Sequence, residues 1–146
     1  MSKSHRLAWA AGFIDGDGFI TIQNRNTKHK EVVYTGTYLR IGACQASTIS
    51  LEEMQNLFGG NIRPKNSGPN RDGYNRKPHY IWCLSTQQAA DCIQQLLPYL
   101  VHKRDVALLA LKFQETMAAN KRQLPEETVS LRKQIQSDIA HLNSLS

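Results

Sequence analysis

Between residues 5 and 15 apolar side chains occupy nearly the whole helical wheel. Leu7, Ala11 and Ile14 form one stripe, Ala8, Gly12 and Asp15 the next, and Trp9 with Phe13 the opposite side. A helix that is apolar all round needs cover on more than one side, and the small residues Ala8, Ala11 and Gly12 let another helix backbone come close. After Gly18 the period changes to two. Ile20 and Ile22 alternate with Phe19, Thr21, Gln23 and Arg25, as in a strand with one face buried. Residues 26–30 read as a polar loop. Alternation resumes over residues 33–45, with Thr37, Leu39, Ile41 and Ala43 on one face and Tyr38, Arg40 and Gly42 on the other, so the two runs predict a long hairpin.

Ser50 and Glu53 form a capping box, with Ile49 and Met54 spaced as a hydrophobic staple. A helix of about two turns is expected there, ending at Gly59-Gly60. A second hairpin follows: residues 61–65, interrupted by Pro64, then a turn-rich loop carrying Arg71, Arg76 and Lys77, then residues 79–84. Ser85 and Gln88 repeat the capping-box pattern, and Ala89, Ile93, Leu96 and Leu97 give a helical face that stops at Pro98. Residues 100–116 predict another helix, residues 120–123 a break, and a last helix starts near Pro125 with Leu131, Ile135, Ile139 and Leu142 at helical spacing. The order helix, hairpin, helix, hairpin, helices predicts an α+β fold. Both hairpins can join one antiparallel sheet with helices on one side and the other side open.

The chain has 146 residues, enough for one domain spanning 1–146. Eighteen Lys and Arg against twelve Asp and Glu give a net charge of +6, which favours an anionic partner such as nucleic acid or a membrane surface. No run is long and apolar enough for a membrane span, and neither a membrane partner nor a secretory leader is expected. Cys44, Cys83 and Cys92 are odd in number and without close pairing. They argue against a disulfide framework and predict buried thiols in a reducing, intracellular compartment.

With the apolar positions inside, the open sheet face carries Thr21, Gln23, Arg25, Tyr38 and Arg40 on the first hairpin and Arg63, Lys65 and His79 on the second. Arg and Lys suit guanine edges and phosphates, Gln suits adenine, and a twisted antiparallel ribbon can enter the major groove. Only Phe19 and Tyr38 are placed to stack on bases, so duplex DNA is favoured over single-stranded RNA.

The junction Asp15-Gly16-Asp17-Gly18 fails as a calcium loop, because Asp15 read as loop position 1 or as position 3 leaves Phe19 and Ile20, or Phe13 and Asn24, where ligands and the glycine are needed. A carboxylate at a helix C-terminus faces the negative end of the dipole, which suggests that a cation comes to it. Residues Ala10-Ala11-Gly12-Phe13-Ile14-Asp15-Gly16-Asp17-Gly18 resemble the nine-residue motif of the LAGLIDADG homing endonucleases, with Ala10 for the first Leu and Gly16 for the penultimate Ala. The element order resembles the αββαββα core of that family over residues about 4–116, with a curved four-stranded sheet as a DNA saddle; residues about 124–144 form a C-terminal helical extension. One motif copy implies the single-motif branch, whose members act as homodimers.

The resemblance implies that Ala8, Ala11, Gly12 and the structural acid Asp15 lie at the dimer interface. Asp17, with the Gly16 carbonyl, would bind Mg²⁺, and Gln45 and Lys103 would organise solvent at the scissile phosphate. Some relatives place a further basic residue shortly after the glutamine; Ser47, Thr48, Ile49 and Ser50 stand there. The implied activity is double-strand cleavage of a long, roughly palindromic DNA site, leaving 3′ overhangs and promoting intron mobility. The alternatives are a non-cleaving RNA maturase or DNA-binding regulator of the same fold, and an interaction protein that uses the small-residue helix only to dimerise.

Overall fold

A computed structural model of the chain describes residues 2–65, 78–117 and 125–145. Helix α1 (Lys3–Asp17) leads into strands β1 (Gly18–His29) and β2 (Val32–Gln45); α2 (Ile49–Phe58) precedes β3 (Asn61–Lys65) and β4 (His79–Ser85). Helix α3 (Thr86–Leu96), a 3-10 turn over Leu97–Tyr99, α4 (Arg104–Glu115) and α5 (Glu126–Ser144) complete the order. The strands form one antiparallel sheet in the order β1-β2-β4-β3, which confirms the α+β arrangement.

The alternation in sequence becomes the two faces of this sheet. Ile20, Ile22, Leu39, Ile41, Ala43, Trp82 and Leu84 point to the helices and are buried with Ile14, Leu51, Met54, Ile93, Leu96 and Phe113. Trp82 is fully buried, and its indole N–H donates to the Gly59 carbonyl at 2.8 Å, so the largest core side chain has its one polar atom satisfied. Gly18 is where α1 becomes β1. A Cβ there would lie 2.8 Å from the Ile14 Cα and 2.6 Å from its Cδ1, so any side chain would force helix and strand apart.

Helix α1 begins earlier than its apolar run, at Lys3, because the Ser2 hydroxyl accepts the His5 N–H and caps it. No polar loop occupies residues 26–30. Strand β1 continues to His29, and Lys30 and Glu31 make a two-residue turn with φ of 48° and 67°. Two positive φ angles match the twist of a tight hairpin, but neither residue is a type that signals them.

The capping boxes are not formed. At α2 the N-cap is Thr48, Ile49 is exposed, and Glu53 instead pairs with Arg6 of α1 at 2.9 Å. Ser85 is the N-cap of α3 but still pairs with Arg40 in the sheet, so its side chain stays with the strand and makes no capping bond. Residues 100–103 precede α4 rather than belonging to it, and Pro125 stands at the N-cap of α5 rather than inside it. The loop basic residues Arg71, Arg76 and Lys77 and the break at 120–123 lie outside the described residues.

Helix α5 covers the β1 edge of the sheet. Its Gln136 donates to the Ile22 carbonyl at 3.2 Å and to Asn24 Oδ1 at 3.0 Å, and its Asn143 donates to the Ile20 carbonyl at 3.0 Å. These side chains satisfy carbonyls that an edge strand would otherwise offer to another chain. No helix among the described residues is long and apolar enough to cross a membrane.

Candidate active site

The C-terminal end of α1 holds two acids in different environments. The Asp15 carboxylate is engaged within the chain: Oδ2 accepts the Val101 N–H at 2.8 Å and Oδ1 the Lys103 N–H at 2.9 Å. Lys103 is the N-cap residue of α4, so the acid sits where a helix N-terminus presents unpaired N–H groups and a positive dipole end. Lys103 returns the contact, its Nζ donating to the Asp15 carbonyl at 3.0 Å. That carbonyl belongs to the last turn of α1, where cations are favoured. Two helix ends of opposite sign are thus tied by one Asp and one Lys.

Asp17 differs. It is exposed, closes α1, and its carboxylate accepts no hydrogen bond from a described residue; nor does the Gly16 carbonyl beside it. The chain therefore places one free carboxylate and one free carbonyl at a helix end, with the Lys103 ammonium held one residue away along α1.

The exposed side of α1 carries Ala8, Gly12 and Gly16 at four-residue spacing, and a Cβ at Gly12 or Gly16 would meet nothing within 4 Å. Trp9 borders this stripe, stacked on Phe13 with ring centroids 5.5 Å apart. Ala11 does not belong to it. It is fully buried with Ala10 and Ile14 on the inner side, because its helical position turns it toward the sheet. Asp15 likewise spends its carboxylate on Val101 and Lys103 of its own chain rather than on an outer contact, and Gly16 takes the third place in the small-residue stripe.

Thr21, Gln23, Arg25, Tyr38, Arg40, Arg63, Lys65 and His79 all share the open-face parity of the sheet register. Thr21, Gln23, Arg40, Lys65 and Lys103 line one groove of about 470 Å³, with Gly18, Cys44 and Asn143. Arg25, Tyr38, Arg40 and Arg63 line an adjoining one of about 410 Å³. Gln45 is not in the first groove. It ends β2 opposite Tyr80, on the parity of Ile41 and Ala43, and so points to the covered side, although it stands at the same end of the sheet as Gly18.

Three features of this face escape the sequence pattern. Cys44 and Cys83 are half-buried on it rather than in the core, with Lys65 Nζ 3.8 Å from the Cys44 sulfur and Arg40 Nη2 3.4 Å from that of Cys83. Only Cys92 is the buried thiol expected, and burial pushes its pKa up to about 12. Phe19 lies under the Arg40 guanidinium, 5.3 Å from its carbon, and is no free stacking platform. Asn143 reaches the groove from α5, where nothing local to its sequence marks it.

The family model described as LAGLIDADG endonuclease matches residues 10–101. The chain belongs to the LAGLIDADG endonuclease family. Comparison with curated proteins gives no match. Among solved structures, the LAGLIDADG fold is shared with the homing endonuclease I-CvuI in complex with the I-CreI target, at 22% identity and a TM-score of 0.74, over 95% of this chain and 82% of that one. The archaeal intron-encoded homing endonuclease I-Vdi141I complexed with DNA matches at 13% identity and 0.72, over 97% and 86%. I-SmaMI bound to uncleaved DNA with calcium ions matches at 20% identity and 0.60, over 93% of this chain but only 45% of that one. The LAGLIDADG motif of this chain, residues 10–18, is thus the end of α1 together with the first residue of β1.

Proposed function

We propose that the protein is a homodimeric, Mg²⁺-dependent, site-specific DNA endonuclease that cuts both strands of a long pseudo-palindromic target. The observation that carries this reading is the free Asp17 carboxylate at the tip of α1, two residues beyond the Asp15 carbonyl that holds the Lys103 ammonium, with Lys103 itself lining the groove on the basic sheet face. A protein using α1 only to dimerise needs neither the free acid nor the tethered lysine.

The donors suit a hard cation, since both the Asp17 carboxylate and the Gly16 carbonyl are oxygens. Among the described residues no three His, Cys, Asp or Glu side chains group as a metal cage, so Asp17 and Gly16 would share the ion with oxygens from outside the chain. Packing of two α1 helices through Ala8, Gly12 and Gly16 would bring a second Asp17 and Gly16 to the same centre, and DNA phosphate oxygens would complete the set. When bound, Mg²⁺ would supply charge neutralisation for the phosphate and the departing 3′ oxygen.

Hydrolysis adds water across the P–O3′ bond, the hydroxyl oxygen joining phosphorus and a proton ending on the 3′ oxygen. Lys103 is the group of this chain that would act on that water. Its Nζ holds three donors, of which the Asp15 carbonyl takes one, leaving two to orient water or contact a phosphate oxygen. Gln45 would act from the strand end as a second solvent ligand, which requires its side chain to turn from the covered side. Arg25, Arg40, Arg63 and Lys65 supply the charge that binds the duplex, and two-fold symmetry of the dimer requires the target's half-sites to be inverted copies.

The test uses a plasmid carrying the sequence that flanks the gene, joined without the insertion, incubated with the protein and Mg²⁺. Cutting by the wild type, lost in Asp17→Asn with binding retained, is the expected result. Binding without cutting in both would favour a regulator, RNA binding alone would favour a maturase, and neither would remove the nucleic-acid reading.

A further inference from the structure

On the first hairpin the open face carries one continuous chain of contacts between β1 and β2. Tyr38 Oη donates to Gln23 Oε1 at 2.9 Å, and Arg40 Nη1 approaches the same oxygen at 3.4 Å. Arg40 is held at its other nitrogen by Cys83 Sγ and from below by the Phe19 ring. Tyr38 is held by the Arg25 guanidinium, 4.5 Å from its ring centre. Every member therefore has at least one neighbour that fixes it.

This arrangement decides which way the Gln23 amide is turned. A guanidinium has donors and no acceptor, so the atom facing Arg40 must be the amide oxygen. The amide nitrogen donates to no described residue and keeps both hydrogens at the groove shared with Thr21, Lys65 and Lys103. A glutamine that reads adenine needs both ends, its oxygen accepting from N6 and its nitrogen donating to N7. Gln23 has only the donor end to offer.

We propose that Gln23 reads its base pair as a donor alone and selects guanine, with Tyr38 and Arg40 setting that choice by holding the amide oxygen. The inference rests on the reading of this face as a duplex-DNA surface. Guanine presents two acceptors in the major groove, N7 and O6, which take the two amide hydrogens. Adenine and thymine each offer one acceptor to such a reader, and cytosine presents a donor that opposes it. Adenine, the usual partner of a free glutamine, is therefore disfavoured here. Tyr38 and Arg40 are positioning residues in this scheme, and the prediction for each differs from that for a direct base reader.

The experiment is a binding selection from a pool of duplexes with both inverted half-sites randomised, carried out in the Asp17→Asn background so that bound DNA is not cut. The position Gln23 reads is the one whose preference disappears in Gln23→Leu. Guanine is expected there, over adenine by about tenfold or more. Gln23→Glu, an acceptor-only side chain, should move the preference to cytosine. Tyr38→Phe combined with Arg40→Leu frees the amide, and adenine should then rise to equal or exceed guanine at that position alone. A direct structural role for Tyr38 and Arg40 would weaken binding without that exchange. Adenine preferred by the wild type, no position changed by Gln23→Leu, or no exchange in the Tyr38 and Arg40 double variant would each overturn the proposal while leaving the nuclease reading intact. Failure of the protein to bind any duplex in the pool would overturn both.

Discussion

Replacing Asp15 separates the two acids of the motif by their effect on stability. Asp15→Ala removes the acceptor of two backbone N–H groups, those of Val101 and Lys103. A hydrogen bond to a charged partner contributes about 1.5–3 kcal/mol. Val101 is exposed and its freed N–H regains water, so the pair loses less than two full bonds of that kind, about 2–3 kcal/mol. For a chain of this size that lowers Tm by roughly 6–10 °C. Asp15→Asn keeps one acceptor but turns an amide donor toward the other N–H, and should lose about half as much or slightly more. Asp17→Asn breaks no hydrogen bond with a described residue and removes a carboxylate from the negative end of the α1 dipole, so stability should hold or rise by about 0.3–1 kcal/mol while cleavage is lost. Urea and thermal unfolding at one fixed protein concentration measure all three, since the proposed dimer would make apparent stability depend on concentration. A loss below about 0.5 kcal/mol in Asp15→Ala, or equal losses in the Asp15 and Asp17 variants, would refute the assignment of Asp15 as the tie between the two helix ends.

Lys103→Met keeps the backbone bond to Asp15 and removes the ammonium, so single-turnover cleavage should fall by roughly 10²-fold or more while DNA affinity changes only a few-fold. At Gly12 a Cβ meets open space in the single chain, yet Gly12→Leu should weaken self-association by roughly tenfold or more in sedimentation experiments while leaving the circular dichroism unchanged, if two α1 backbones pack there. Burial raises the Cys92 pKa from an ordinary 9.0 to about 12, so the folded chain retains a proton that the unfolded chain releases. That contribution is complete below about pH 9 and is lost at up to about 1.4 kcal/mol per pH unit as pH rises toward the folded value. Urea titrations from about pH 8 to pH 10.5 should show this slope in the wild type and not in Cys92→Ala.

Most of the fold was legible because its signals are local. Alternation of buried Ile20, Ile22, Leu39 and Ile41 with Thr21, Gln23, Tyr38 and Arg40 specifies strands with one buried face, and an open basic face follows from the same parity. The Lys30-Glu31 turn was not legible, since its positive φ angles fall on residues with no preference for them and are set by pairing along the two strands. The capping boxes misled for a related reason: Glu53 has a better partner in Arg6, which is 47 residues away, and Ser85 is still held by the sheet.

By itself the sequence determined that a helix of small residues ends in two acids, that a strand starts at Gly18, and that donors line one side of the sheet. Those are consequences of periodicity and residue type. Only the tertiary structure decided which acid is engaged within the chain, because the partners of Asp15 are 86 and 88 residues distant and come from a different helix end. It also turned Ala11 inward and Gly16 outward, a matter of which side of α1 meets the sheet. The direction of the Gln23 amide belongs to the same class. Its side chain can donate or accept with equal ease, and the Arg40 guanidinium on the neighbouring strand leaves it only the first.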